Sequence, residues 1–246
     1  MNTRIIRFIP PSECTVVQYS SNGLYIISGS SDGYIEIWNS STGKLSNDYT
    51  YQLNDQLMYV NDTITTLSVT PSNELLAGGS KNNVVYVYDI NNGIQIRRFH
   101  ILSCDIIGMI FSVDTSKLYI TCSDGTVKLY GLKSTKLIKQ YTLHSHVVCN
   151  TIQLYNSEQS IICGCSDGTI QIYDSGTSEL IQCITIDQLI RKYNNKHKDV
   201  QSHTRSIAAS IIQLIIDTPH STAYNIRLYV CDGSSTVKYV STNKCS

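Results

Sequence analysis

Short runs of alternating apolar and polar residues recur along this chain, and many are joined in pairs by an Asp-Gly turn. The clearest pair spans residues 161–174, where Asp167-Gly168 separates two such runs. Alternation with a period of two places successive side chains on opposite faces of a strand. Asp-Gly between two such runs is the strongest short-range signal of a β-hairpin. The pattern therefore predicts antiparallel strand pairs joined by tight turns.

The same hairpin is repeated along the chain. Copies at 31–39 and 123–131 keep the Asp-Gly pair, the copy at 81–89 has Asn82-Asn83 instead, and 234–240 is degenerate. The aromatic residues that close the four good copies stand at positions 38, 88, 130 and 173, at intervals of 50, 42 and 43 residues. A period of about 40–45 residues with this hairpin is the signature of the WD40 repeat. We therefore predict an all-β WD40 β-propeller.

Five blades are recognisable within one domain that covers residues 1–246, because a repeat buries its faces only against its neighbours. Their predicted bounds are 12–47, 62–99, 104–141, 146–184 and 206–241. Residues 3–9 form a lone strand candidate, and the polar stretch 186–205 is predicted to be an insertion loop. We expect a partial seven-bladed ring, with closure as an unusual five-bladed ring as the alternative.

Composition agrees with a strand-rich folded chain and narrows the choice of partner. The 246 residues include 17 Tyr against 3 Phe and 1 Trp, and 15% of them are charged, with a formal net charge of +0. A neutral chain lacks the basic surface that non-specific nucleic-acid binding requires. Most of the 9 cysteines fall in predicted strands, so we expect free thiols in a reducing compartment.

We expect a polar network in each repeat, in which the turn Asp, the closing aromatic, a strand hydroxyl and an upstream His are linked by hydrogen bonds. Buried polar groups need such partners, and the network would fix the turn and the strand register. Asp32 with Trp38 and Ser28 is the best-supplied set, and Asp167 with Tyr173 could use His144 or His146. The predicted network residues are Ser28, Asp32, Trp38, Asn82, Tyr88, Asp124, Tyr130, His144, Asp167 and Tyr173.

Catalytic and metal chemistry have little support in the sequence. Cys163-Gly164-Cys165 stands without a second Cys or His pair at zinc spacing, and two residues separated by one in a strand share a face. We therefore interpret these cysteines as packing residues. His144-Ser145-His146 is either a metal half-site or the His position of a repeat, and the repeat reading is favoured. We expect no cofactor, no metal and no enzymatic activity.

Several segments resemble one family of WD40 proteins, the Smu-type (suppressor of mec and unc) splicing factors. Residues 29–39 and 42–44 are similar to that family's first blade. The segment Tyr51-Gln52-x-x-Asp55-x-x-Met58-x-x-x-Asp62 is similar to its linker between the first and second blades. Residues 97–99 and 131–134 match its second and third blades.

This resemblance implies a nuclear, non-catalytic scaffold of the spliceosome that acts in pre-mRNA splicing. Its partners would be spliceosomal proteins, and a partner like the RED protein is conceivable, although the helical region with which the family binds RED does not match any part of this sequence. We expect neither a membrane nor sequence-specific nucleic acid as a partner. A cytoplasmic location is the alternative to the nucleus.

Expected exposure and charge point to loop residues that could contact a partner. The candidates are Tyr51, Met58, Tyr59, Lys192, Lys196 and Lys198. The alternative function is that of a substrate receptor of a ubiquitin ligase or another generic adaptor. Such receptors often close a blade with Trp-Asp-x-Arg, whereas Trp38 is followed here by Asn39-Ser40-Ser41. The splicing scaffold is therefore favoured.

Overall fold

The computed structural model describes residues 13–53, 57–155 and 157–185 in full, and the backbone of three further strands within 210–243. Three predictions lie outside the described residues. They are the lone strand at 3–9, the insertion loop at 186–205 and, with that loop, the candidate residues Lys192, Lys196 and Lys198.

The described chain is built almost entirely from antiparallel strands, grouped in five consecutive sheets. The first sheet contains β1 (Cys14–Tyr19), β2 (Tyr25–Ser30), β3 (Tyr34–Asn39) and β4 (Met58–Tyr59), and the second contains β5 (Ile64–Val69), β6 (Leu75–Ser80), β7 (Val84–Asp89) and β8 (Gln95–His100). The third contains β9 (Ile106–Phe111), β10 (Lys117–Cys122), β11 (Thr126–Gly131) and β12 (Leu137–Thr142), and the fourth contains β13 (Cys149–Tyr155), β14 (Ser160–Cys165), β15 (Thr169–Asp174) and β16 (Leu180–Thr185). The fifth has three strands, β17 (Ser210–Asp217), β18 (Asn225–Cys231) and β19 (Val237–Asn243). A helical turn, α1 (Thr50–Leu53), and a 3₁₀ turn at His144–His146 complete the described elements.

Chain order equals spatial order in every sheet, so each sheet is a simple meander. The predicted hairpin is the pair of middle strands, for example β14 with β15, which pair from Ser160↔Asp174 to Gly164↔Ile170. Gly33, Gly125 and Gly168 have φ values of 92°, 76° and 79°, and Asn83 takes the equivalent place with φ 61°. Asn tolerates this left-handed conformation better than other non-glycine residues. The Asn-Asn copy therefore forms the same turn.

Three of the sheets also share a β-bulge at the same position, which the residue pattern does not reveal. The first two strands of a sheet show a register shift at the same point, between Cys14 and Val16, Ile64 and Thr66, and Cys149 and Thr151. In two of these bulges a threonine hydroxyl donates to a glycine carbonyl of the neighbouring strand, Thr15 to Gly29 (3.0 Å) and Thr65 to Gly79 (3.2 Å). β-Bulges are designed features rather than defects.

The chain divides into two compact units, the first comprising Met1–Ile120 with Lys128–Lys139 and the second Thr121–Val127 with Gln140–Ser246. In the first unit the facing sides of the first two sheets form one apolar core. It contains Ile27, Ile35, Ile37, Tyr51, Met58, Val60, Ile64, Leu67, Leu76, Val84, Tyr86, Tyr88 and Ile90. Alternation explains the selection, because Ile35 and Ile37 point into this core while Tyr34 and Glu36, between and beside them, remain more exposed.

The outer edge of the first sheet departs from the predicted blade. We expected this blade to end at residue 47, but its fourth strand is β4, at 58–59. An isolated bridge joins Trp38 to Leu45 before the chain leaves the sheet. The intervening segment carries α1, and it accounts for the long first interval of 50 residues between the closing aromatics.

Candidate functional site

The closing aromatic of the first repeat lies in the predicted hydrogen-bonded set. The Trp38 indole Nε1 donates to the Ser28 hydroxyl at 2.8 Å, and Ser28 is buried in β2. The Asp32 carboxylate accepts from the Ser30 hydroxyl at 2.5 Å. Ser30 also accepts from the Tyr34 amide, so these bonds brace the Asp-Gly turn itself.

The closing tyrosines use their hydroxyl groups in different ways. Tyr88 donates to the Tyr59 carbonyl at 2.7 Å, and burial raises its pKa above the ordinary value. Tyr173 donates to Gln171 Oε1 at 2.6 Å and accepts from the His144 amide at 2.7 Å, and burial raises its pKa to about 12. The Tyr130 ring packs 5.4 Å from the ring of Phe99, centroid to centroid. Replacing Trp with Tyr thus preserves aromatic packing and redirects the polar tip.

The turn aspartates organise their own turns. Asp124 accepts from the amide (3.0 Å) and the hydroxyl (2.6 Å) of Thr126, and Asp167 accepts from the same groups of Thr169 at 3.0 and 2.7 Å. Asn82, which replaces Asp in the second repeat, donates its backbone N–H to the Asp62 carboxylate at 2.7 Å. Asp side chains commonly bond backbone groups two residues away, as Asp124 and Asp167 do here.

The structure corrects the expected role of His144 and His146, whose side chains are exposed. His144 joins the Tyr173 network through its backbone. Its amide donates to Gln171 Oε1 (3.0 Å), and its carbonyl accepts from Gln171 Nε2 (3.1 Å). Gln171, which we did not single out, supplies the bonds that we expected from an imidazole.

Two predicted interaction residues are wrong. Tyr51 and Met58 are only 5% and 1% exposed, so they belong to the core and are not available to a partner. Tyr51 reaches across to donate its hydroxyl to the Ile90 carbonyl at 2.9 Å. Tyr59 is 46% exposed, so it remains a candidate contact residue. The sequence of this linker, which mixes apolar and charged residues, does not show which of its side chains are buried.

Gln52 is a further residue that sequence reasoning did not assign. Its side chain is 3% exposed and pairs with the backbone of β3. The Ile37 amide donates to Gln52 Oε1 at 2.7 Å, and Gln52 Nε2 donates to the Ile37 carbonyl at 3.2 Å. A carboxamide has the donor and acceptor of a peptide group. Gln52 therefore takes the place of an outer-strand residue at Ile37, which the short strand β4 does not reach.

In the third and fourth repeats, the third residue of the third strand (β11 or β15) also contacts the segment before the sheet. Gln171 does so as described above, and Lys128, 7% exposed, donates to the Leu102 carbonyl (3.2 Å) and contacts Cys104 Sγ (3.1 Å). Leu102 and His144 are equivalent, since each lies three residues after the buried aromatic of an outer strand. The first repeat has Glu36 here, and burial, followed by the nearby Asp32 carboxylate, raises its pKa.

Three cysteines of the fourth sheet, Cys149, Cys163 and Cys165, are buried thiols, whereas Cys183 in β16 is exposed. Cys149 pairs with Cys165 across β13 and β14, and Cys163 stands two residues before Cys165. Burial raises the pKa of Cys165 to about 12 and that of Cys149 well above its ordinary value. Thiolates are the nucleophilic and metal-binding form of cysteine. The Cys149 and Cys165 thiols are therefore protonated at neutral pH, as expected for side chains that pack.

The repeats match a known family over most of their length. The profile of the WD domain, G-beta repeat, matches residues 6–39, 56–89, 94–131 and 135–174, which together exceed half of the chain. The chain belongs to the WD40-repeat family, and the predicted all-β WD40 β-propeller class is confirmed. WD40 repeats are in general interaction scaffolds without catalytic activity. In the part of the chain that the structure describes, no helix is both long and apolar enough to span a bilayer.

Two curated relatives are similar to parts of this chain. Identity is 38% over 61 residues with the WD40 repeat-containing protein smu1 of Dictyostelium discoideum, covering 25% of this chain and 12% of that protein. It is 30% over 124 residues with the WD repeat domain-containing protein 83 homolog of the same organism, covering 50% of this chain and 35% of that protein. The matches thus span well under half of each relative.

Proposed function

We propose that this chain is a protein-interaction scaffold of the spliceosome that acts in pre-mRNA splicing in the nucleus. The observation that carries the proposal is the likeness to Smu-type proteins, seen in the first blade, in the linker that follows it and in the 61-residue match. We further propose that the chain forms five blades with the bounds given above, apart from the first, which extends to β4.

The residues of the 51–62 segment that resemble the Smu-type linker have structural roles in this chain. The motif residues Tyr51, Gln52 and Met58 are all buried, and Asp62 accepts from the amides of Thr63 (2.8 Å) and Asn82 (2.7 Å). These residues build the broken outer edge of the first sheet, which a generic WD40 repeat does not require. A likeness at such positions supports a closer relationship than the Asp-Gly hairpins alone.

An affinity purification tests this function. The tagged full chain is incubated with nuclear extract, with and without ribonuclease, and the bound proteins are identified by mass spectrometry. We expect spliceosomal proteins to be retained after ribonuclease treatment, because a scaffold binds proteins directly. Fluorescence imaging of the tagged chain should place it in the nucleus.

The control is a tagged, unrelated WD40 chain of similar size, treated identically. Recovery of cullin-adaptor subunits without spliceosomal proteins would favour the ubiquitin-ligase receptor instead. Spliceosomal proteins that disappear with ribonuclease would mean that the association runs through RNA.

A further inference from the structure

We infer that a groove in the first compact unit binds an acidic peptide segment with an aromatic anchor. The groove has a volume of about 280 Å³ and lies between the outer part of the second sheet and two turns of the third. Its apolar lining includes Leu75, Ile96 and Leu132, and its polar lining includes Ser116, Arg97 and Lys133. The inference deepens the proposed scaffold function, on which it rests, by assigning a surface and a partner chemistry.

The charge of the groove is positive and uncompensated. Arg97 and Lys133 are exposed, and neither forms an ion pair with a described residue. The acidic residues nearest to the lining in sequence, Glu74 and Asp114, do not line it, and Asp114 is already bonded to Ser112 and Ser116. Complementary charge favours an acidic partner and speeds its association.

The corresponding place between the first two sheets is filled, which shows what kind of side chain suits it. Tyr25 begins β2 as Leu75 begins β6, and the rings of Tyr25, Tyr49 and Tyr51 follow one another at centroid distances of 5.3 and 6.0 Å. In the groove, Leu75 stands where Tyr25 would be, and Phe99, the counterpart of Tyr51, does not line the groove. Three tyrosine rings thus pack at the first of these places, whereas no described aromatic residue lines the groove.

A backbone acceptor on a residue that lines the groove lacks the donor that its counterparts have. Two residues after the closing aromatic, the carbonyls of Ile90 and Ser175 accept tyrosine hydroxyls, from Tyr51 at 2.9 Å and from Tyr141 at 3.0 Å. The equivalent carbonyl is that of Leu132. The matching outer-strand aromatic is Phe99, which has no hydroxyl, and no other described residue donates to the Leu132 carbonyl.

The volume of the groove favours a peptide side chain over a small metabolite as the occupant. Small-molecule sites usually measure roughly 300–1,000 Å³ and enclose most of the ligand. This groove lies just below that range and is open, so it accommodates an anchoring side chain whose flanking residues extend over the surface. Tyrosine satisfies the apolar lining and supplies a hydroxyl donor, and flanking Asp or Glu would meet Arg97 and Lys133.

The test is selection from a displayed library of random ten-residue peptides, panned against the full chain. We expect enrichment of peptides with an aromatic residue, tyrosine above all, flanked by Asp or Glu. Arg97→Glu combined with Lys133→Glu should weaken their binding about tenfold, because reversal replaces two exposed attractions by repulsions of similar size. Binding should also weaken as salt increases.

Lys136→Glu is the matched control, since Lys136 is an exposed cation in the same β11–β12 turn but does not line the groove. Circular dichroism and thermal melts establish that all three proteins fold alike. The inference is overturned if the enriched peptides are not acidic, if none is enriched, or if they bind the double variant as tightly as the original chain. Peptide binding without spliceosomal association would refute the proposed splicing role and leave the groove assignment standing.

Discussion

The Gln52 carboxamide occupies a backbone position in the first sheet, accepting from the Ile37 amide at 2.7 Å and donating to the Ile37 carbonyl at 3.2 Å. The Ser46 amide also donates to this carbonyl at 2.8 Å. The Ile37 amide therefore depends on Gln52, while the carbonyl has a second donor.

Gln52→Ala should lower the free energy of unfolding by about 1–3 kcal/mol, because it leaves the buried Ile37 amide without an acceptor. Urea unfolding followed by circular dichroism measures the change. Gln95→Ala, at an exposed position in β8, is the control and should stay within about 0.5 kcal/mol of the original. Equal effects of the two substitutions would contradict the assigned role.

Gly33→Ala should destabilise the chain by about 3 kcal/mol or more. Its φ is 92°, and an added Cβ would lie 1.7 Å from the Val60 carbonyl oxygen, which is backbone and cannot rotate away. Gly23→Ala distinguishes the backbone strain from the steric clash, since Gly23 has φ 71° with nothing within 4 Å of the added atom. We expect only about 1–2 kcal/mol there, from the left-handed backbone alone. Thermal or urea unfolding compares them.

Tyr141→Phe should lower stability by about 0.5–1.5 kcal/mol, because it removes the hydroxyl that donates to the Ser175 carbonyl. The reciprocal change, Phe99→Tyr, should raise stability or leave it unchanged, because the new hydroxyl finds an acceptor in the Leu132 carbonyl. Urea unfolding of both variants tests the equivalence of Phe99 and Tyr141. A loss of stability in Phe99→Tyr equal to that in Tyr141→Phe would refute it.

Asp114 should make stability depend on pH in the acid range. Hydrogen bonds from the Ser112 hydroxyl and from Ser116 lower its pKa from 3.8 to about 2. Between these values the unfolded chain binds more protons than the folded chain, so this contribution is complete above about pH 4 and is lost as pH falls towards 2. Urea unfolding from pH 2 to 6 should show a shallower dependence in Asp114→Asn than in the original chain.

Glu179→Gln is the control for Asp114, because the Glu179 carboxylate is exposed and accepts no hydrogen bond from a described residue. It should retain the steep dependence between pH 4 and 2. An unchanged slope in Asp114→Asn would show that the serine hydroxyls do not favour the ionised carboxylate.

The sheets could be predicted from the sequence because their signals are local. Asp-Gly pairs and alternation fix hairpins within about fifteen residues, and copies at a regular interval identify the family. The hairpin at Asn83 could be predicted even without Asp-Gly, because Asn takes the left-handed position and the turn still forms. The closing aromatics were found for the same reason.

The candidate site was predicted less well because its contacts join residues far apart in the chain. Tyr51 meets Ile90, Gln171 meets the His144 backbone, and Gln52 meets Ile37. A polar residue's hydrogen-bonding capacity is visible in the sequence, but its partner is decided by tertiary packing. Tyr51 and Met58 were misassigned for this reason, since the sequence does not show that both side chains pack into the core of the first two sheets.

Because Gln52 pairs with Ile37 through its side chain, the segment between β3 and β4 can change in length without breaking the sheet. A conventional outer strand fixes every residue in register, so that a single inserted residue shifts all those that follow. Here the Gln52 side chain supplies the acceptor for the Ile37 amide, and the ladder resumes at β4. Homologous chains could therefore gain or lose residues in this stretch during evolution, and a foreign epitope could be grafted there, without disturbing the hairpins that the repeat preserves.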